Sequence, residues 1–147
     1  MSIVHTPARS QLQRTSKTVT FTGAANLGAV GAVPIFTVTG TVLVVYLIPL
    51  CTVLLTEAAP TATLALGVTG STSLFVAATT GTAIDANEFW FSTTPTAAGL
   101  ALPAALKDIP VAANIIGTVG AQAVDSGAIR FDLWWLGISS GSSVVPS

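Results

Sequence analysis

Charged side chains are so scarce in this chain that they limit both what it can fold into and how it can exist in solution. Five Lys or Arg and six Asp or Glu residues make up 7% of the 147 residues, against roughly a quarter in ordinary soluble domains. No charge lies between Lys17 and Glu57, or between Glu57 and Asp85. A free monomer keeps a mixed, charged surface in order to stay soluble and unassociated. The chain is therefore expected to cover part of its surface with a membrane, with copies of itself or with another protein.

The few charges are unevenly distributed along the chain. Arg9, Arg14 and Lys17 are three of the five basic residues, and no acidic residue precedes Glu57. Residues 1–16 are therefore predicted to be an extended, basic N-terminal arm on a faintly acidic body. Such an arm is either a solvated tail or a docking segment for an acidic protein surface. Nucleic acid is not expected as a partner, because three dispersed charges make a weak footprint for phosphates.

The apolar run at residues 37–55 would score as a transmembrane candidate by hydropathy alone. It is rich in Val and Thr, which favour strands, and Gly40 and Pro49 interrupt it. No Lys or Arg flanks it closely, so nothing sets an orientation across a bilayer. Residues 1–17 hold no apolar segment of the kind found in secretory signals. We therefore expect strands in this run and synthesis in the cytoplasm.

Short alternating segments separated by Gly, Pro, Asn and Thr turns predict an all-β fold. Their spacing favours about eight or nine strands in a single-domain β-sandwich, a jelly roll or a barrel. We divide the chain into the arm at 1–16, a body at 17–138 and a Ser/Gly-rich tail at 139–147. One helical turn is expected after Pro103, and Pro49 is expected to divide the longest strand. The predicted strands are 17–22, 33–39, 41–56 in two parts, 61–68, 73–78, 88–92, 109–116, 118–124 and 128–138.

The segment at 128–138 has the clearest strand pattern. One face is apolar throughout (Ile129, Phe131, Leu133, Trp135), whereas the other mixes charged and apolar residues, because successive side chains of a strand point to opposite sides. Aromatic residues on an outward face are typical of interfaces, although a strand covered on both sides by its own domain would show the same pattern. Arg130 and Asp132 can pair with each other or across strands. We predict a partner interface that combines this second face with the basic arm: His5, Arg9, Arg14, Lys17, Arg130, Trp134 and Leu136.

The inventory of reactive side chains argues against an enzyme. His5 is the only histidine and Cys51 the only cysteine, so a hydrolase triad would depend on His5 alone and a zinc site lacks ligands. Cys51 sits in an apolar run and is expected to be a small buried hydrophobe. Asp85, Asn87 and Glu88 could offer oxygen ligands to Ca²⁺, but their spacing more readily describes a turn. We expect no catalytic residue, no cofactor and no small-molecule substrate.

The segment at residues 125–141, Asp-Ser-Gly-Ala-Ile-Arg-Phe-Asp-Leu-Trp-Trp-Leu-Gly-Ile-Ser-Ser-Gly, resembles the closing strand of small structural proteins of tailed bacteriophages. The charge-poor body, rich in Thr, Ala, Val and Gly, is similar to the capsid decoration (cement) proteins of that group. The resemblance implies a β-sandwich or jelly-roll subunit, a homotrimer, clamped on the major capsid protein at the outside of the virion. Tail, neck and head-fibre-base proteins share this style of sequence. A single-span membrane protein, with its span at 37–55, is the remaining alternative.

Overall fold

The computed structural model describes residues 11–147, which fold into nine strands. Two short 3₁₀ turns interrupt the connections, at Gly81–Ala83 and Ala104–Leu106, and the second matches the helical turn expected after Pro103. The described residues contain no α-helix. The prediction of an all-β fold is therefore confirmed. The strands are β1 (Gln13–Thr20), β2 (Gly31–Thr39), β3 (Val42–Thr56), β4 (Thr63–Val68), β5 (Ser71–Thr80), β6 (Lys107–Val111), β7 (Ile115–Gly120), β8 (Ser126–Gly137) and β9 (Ser143–Pro146).

The first eight strands pair in nested order, so that the first pairs with the eighth, the second with the seventh, and so on inward. β1 pairs with β8, β2 with β7, β3 with β6 and β4 with β5, all antiparallel. β3 also pairs with β8 and β4 with β7, which joins these pairs into two sheets. Their strand orders are β1-β8-β3-β6 and β5-β4-β7-β2-β9. Apart from the added β9, this is the order of a jelly roll, in which two Greek keys form a double-sheet sandwich.

The core lies between the two sheets and follows the alternation of each strand. In β8 the predicted division of residues 128–138 into two faces is confirmed, because its apolar face is buried and its second face is not part of the core. Full burial of one large apolar side chain contributes about 1.5–3 kcal/mol. The buried side chains of β8 are Ile129, Phe131, Leu133 and Trp135.

The open side of the sandwich between β3 and β5 is closed by the segment that connects β5 to β6. Trp90 and Leu106 of this segment are fully buried. The Trp90 backbone N–H donates to the Pro49 carbonyl over 3.0 Å, and its indole Nε1 donates to Thr79 Oγ1 over 2.9 Å. Trp90 therefore joins β3 of the four-stranded sheet to β5, an edge strand of the other sheet.

Pro49 does not divide the long strand, contrary to the prediction. β3 runs unbroken from Val42 to Thr56, and Pro49 lies opposite Phe131 within it. Proline lacks only its own N–H. Its carbonyl still accepts the Trp90 N–H, so the strand loses one donor and keeps its pairing on both sides.

The strands predicted at 88–92 and 118–124 are corrected by the structure. In the first range Phe89 makes only isolated bridges, to Leu50 and Thr96. In the second, β7 ends at Gly120, and Gly117, expected to separate two strands, lies buried inside β7. A glycine interrupts the hydropathy pattern without breaking the ladder of hydrogen bonds.

Both ends of the described chain are more ordered into sheets than the sequence suggested. β1 begins at Gln13, inside the range expected for the arm, and β9 lies within the range 139–147 expected for the tail. Residues 37–55 fall within β2, β3 and their connection. Across residues 11–147, no helix has the length and apolar character needed to cross a membrane.

Candidate interaction face of the four-stranded sheet

The outward face of the four-stranded sheet, opposite the core, carries half-buried apolar side chains from β3 and β8. Trp134 lies opposite Tyr46, and Leu136 lies opposite Leu43. Directly opposed residues project to the same side of a sheet. The described residues form no third layer of secondary structure above this face. Its half-buried apolar side chains are Leu43, Tyr46, Ile48, Leu50, Trp134 and Leu136.

A buried carboxylate stands in the middle of this face. Asp132 is 3% exposed. Arg14 Nη2 and Ser16 Oγ each donate to its Oδ1 over 2.5 Å, and Arg130 Nε donates to Oδ2 over 2.9 Å. Both modes of pairing expected for Arg130 and Asp132 thus occur together, one along β8 and one across to β1. The cluster of Arg14, Arg130 and Asp132 carries a net charge of +1.

The pKa of Asp132 is set by opposing effects. Burial of the carboxyl raises its pKa, because desolvation disfavours the charged form. Hydrogen bonds from Ser16, Arg130 and Arg14, together with the charge of Arg130, lower it and prevail. The net effect is a pKa below the ordinary value, so the carboxylate is ionised at neutral pH.

The two arginines reach outward from this buried carboxylate. The Arg14 guanidinium lies over the Trp134 ring, 5.3 Å from its centroid. Their side chains remain 55% and 46% exposed, for Arg14 and Arg130 respectively. Arginine donates through several N–H groups, and carboxylates on a partner are its preferred acceptors. The face can therefore offer apolar contact and charge-assisted hydrogen bonds side by side.

The predicted interface residues do not all meet here. Arg14, Arg130, Trp134 and Leu136 share the outward face. Lys17 instead donates from Nζ to the carbonyls of Pro34 (2.8 Å) and Ser147 (2.6 Å), tying β1 to the edge of the other sheet. Burial lowers the pKa of its ammonium group. The remaining two, His5 and Arg9, lie outside the described residues.

The calcium candidates form a compact turn. The Asp85 backbone N–H donates to Glu88 Oε2 over 3.0 Å. Asn87 adopts a left-handed backbone conformation, with φ of 67°. The Asn87 and Glu88 backbones pair with Cys51 on β3. Among residues 11–147, no group of three or more His, Cys, Asp or Glu side chains is arranged to hold a metal ion. The contacts of this segment describe a turn docked on β3.

Cys51 lies in the core with no exposed surface. Its Sγ lies 3.2 Å from the Val53 carbonyl oxygen. Burial raises the pKa of the thiol to about 11, and the nearby Asp85 and Glu88 add to the rise, against the opposing backbone hydrogen bond. The nucleophilic thiolate is therefore almost absent at neutral pH.

We expect Cys51 in the native protein to react with a disulfide-exchange reagent on the order of 100-fold more slowly than in the unfolded chain at neutral pH, because the thiolate is scarce and the sulfur is inaccessible. Absorbance of the released thiol, followed with and without urea, measures both rates. Equal rates in the two states would contradict the buried position of this side chain.

The chain matches no family model, no curated protein and no solved structure in comparisons with known proteins. The outward face of the four-stranded sheet is therefore a candidate interaction face because of its own residues and geometry.

Four residues of the face were not singled out from the sequence: Leu43, Tyr46, Ile48 and Leu50. Residues 42–50 are almost continuously apolar, so the pattern does not show which side chains point outward. A bulge between Val44 and Tyr46 also shifts the alternation of side chains. Only the pairing with β8, whose two faces are distinct in sequence, assigns these side chains to the outward face.

Proposed function

We propose that this protein is a non-enzymatic structural subunit of a virion, a capsid decoration (cement) protein that binds the major capsid protein from outside and stabilises the shell. The observation that carries the proposal is the outward face of the four-stranded sheet. It presents six half-buried apolar side chains around the Arg14–Asp132–Arg130 cluster. A face of this composition is suited to permanent contact with another protein surface.

The centre of the face has the side chains that dominate binding in protein interfaces. Trp and Arg are enriched among residues whose truncation costs most. Trp134 and Arg14 are in contact, so the flexible arginine is held in place before a partner arrives. The Arg14 guanidinium also donates a hydrogen bond to Asp132. A carboxylate on the shell, next to an apolar patch, would meet donors that are already oriented.

The jelly-roll fold is compatible with this role but does not prescribe it. The fold occurs in viral capsid proteins, lectins and cupins, and one fold hosts many functions. The charge-poor surface and the resemblance of residues 125–141 favour the virion. A protein that binds only the assembled shell stabilises it by mass action, and a homotrimer would present three such faces at once.

Replacing Trp134 by alanine should weaken binding to virions stripped of this protein at least about 30-fold, the effect of a central interface residue worth about 2 kcal/mol. Co-sedimentation of purified protein with stripped particles measures the affinity, and calorimetry of the same particles measures shell stability. Wild-type protein should restore the heat resistance lost on stripping, and Trp134→Ala should not restore it at the same concentration.

Val145→Ala provides the control, because Val145 is a half-exposed apolar residue on β9 of the other sheet and should leave binding unchanged. Wild-type affinity of Trp134→Ala would eliminate the outward face as the contact. Unchanged heat resistance after stripping would count against a cement role, and electron microscopy that finds the protein on the tail or neck would assign it to another part of the virion.

A further inference from the structure

Acidic residues gather at one end of the sandwich. The acidic end is formed by the loops at 21–30, 57–62, 81–88 and 121–125, which follow strands that finish at the same end. These loops contain no Lys, Arg or His. Outside them, the described residues have four basic and two acidic side chains. The acids of the acidic end are Glu57, Asp85, Glu88 and Asp125.

The acidic end also carries large apolar side chains in solvent. Backbone hydrogen bonds of 2.8–2.9 Å join the loop at 21–30 to residues 124–127, and residue 125 to Thr56 at the end of β3. The surface is therefore continuous across three segments. Exposed apolar side chains on a charged surface are a mark of an interaction site. Those at this end are 41–61% exposed and are Leu27, Val30, Val53 and Leu54.

The first described residues, Gln11 and Leu12, lie at the opposite end of the sandwich. Gln11 and Leu12 line an open cleft there together with Gly137 and Ser142, beside the last residues of β8. Residues 1–10 precede this cleft and contain no acid. Their sequence contains apolar side chains and a positive charge, in Ile3, Val4 and Arg9. These complement the exposed apolar side chains and the carboxylates of the acidic end.

We infer that residues 1–10 of one copy bind the acidic end of a second copy. Ile3 and Val4 would cover exposed apolar surface, and Arg9 would face carboxylates with no competing base nearby. The contact is head-to-tail, because two acidic ends placed face to face would bring like charges together. Ten extended residues reach about 33–36 Å, enough to span from one copy across an end of the next.

A head-to-tail contact uses different surfaces on its two sides. Such contacts either close into a ring or continue into a filament. Closure after three copies would give the homotrimer that the sequence resemblance implies. The outward face of the four-stranded sheet takes no part in this contact, so the inference goes beyond the proposed function and stands independently of it.

The test uses two full-length variants with complementary defects. The arm variant, Val4→Asp with Arg9→Glu, keeps the acidic end, and the end variant, Leu27→Asp with Val53→Asp, keeps the arm. We expect wild-type protein to assemble in sedimentation velocity, and each variant alone to associate at least about tenfold more weakly. An equimolar mixture should form a 1:1 complex, because each variant supplies the half of the contact that the other lacks. Leu100→Asp, at an exposed apolar residue in the connection between β5 and β6, should assemble like wild type.

The inference is overturned if wild-type protein stays monomeric, if either variant assembles like wild type, or if the mixture gives no 1:1 complex. Circular dichroism checks that each variant is folded, and Leu27 and Val53 are exposed in the native structure. The measurement needs purified chain alone and no shell. Failure of this inference would leave the proposed function intact. Loss of shell binding by Trp134→Ala would not affect this inference.

Discussion

Replacing Trp90 by alanine is expected to destabilise the protein by about 3–5 kcal/mol, the usual cost of removing a buried tryptophan from a core. The side chain is completely buried in the core and its indole donates to Thr79 on β5 of the five-stranded sheet. Its loss would leave a cavity beside Val19, Phe131 and the other core residues that already line a narrow void. Thr79 Oγ1, itself buried, would lose the indole donor, which adds the cost of an unsatisfied polar group.

Equilibrium unfolding in urea measures this change, from the midpoint and slope of the transition. Trp134→Ala is the matched control, because the same side chain is removed from the half-buried outward face. We expect it to cost about 1 kcal/mol, as the ring packs on one side only. Similar losses for the two variants would mean that Trp90 does not close the sandwich.

Replacing Asp132 by alanine is expected to destabilise the protein by about 1–3 kcal/mol at neutral pH, since hydrogen bonds to a charged group contribute more than neutral ones. Arg14 and Arg130 are half-exposed, so water can solvate them after the loss. This keeps the cost below that of a pair whose remaining charge is fully buried.

The same substitution should flatten the dependence of stability on acid pH. The pKa of Asp132 is lower in the folded state than in the unfolded chain, so its ionisation stabilises the fold above the unfolded pKa of about 3.9. That contribution is lost as the pH falls through the folded-state pKa. Urea unfolding from neutral pH down to acid pH should show wild type and Asp132→Ala converging. Asp125→Asn, which removes an exposed carboxylate, is the control, and parallel curves for wild type and Asp132→Ala would contradict the depressed pKa.

Local pattern was sufficient for much of the fold. Alternation over residues 128–138 predicted both faces of β8, and turn residues placed most of the other strands. The local pattern gave a wrong prediction at residues whose role depends on contacts with distant parts of the chain. Pro49 lacks a backbone N–H donor, yet its carbonyl accepts a hydrogen bond from Trp90, which lies 41 positions further along the chain. Gly117 interrupts the apolar pattern, yet it lies inside β7 between two paired neighbours.

Part of the outward face of the four-stranded sheet could be predicted from the sequence. Trp134, Leu136 and Arg130 could be predicted because β8 has one clear apolar face. Arg14 was predicted only as a charge on an arm, whereas the structure makes it a β1 residue bonded to Asp132, 118 residues away. Lys17 was expected to reach a partner, but two backbone carbonyls of its own chain accept its donors.

Composition and alternation by themselves determined that the chain is all-β and poor in charge. Both are properties of single segments, fixed by side-chain type and by the period of a strand. Tertiary structure alone decided which charges meet, which side of β3 points outward, and that the acids collect at one end. These depend on pairing between segments far apart in the chain, and the strand order that brings β1 beside β8 is set by the packing of the whole sandwich.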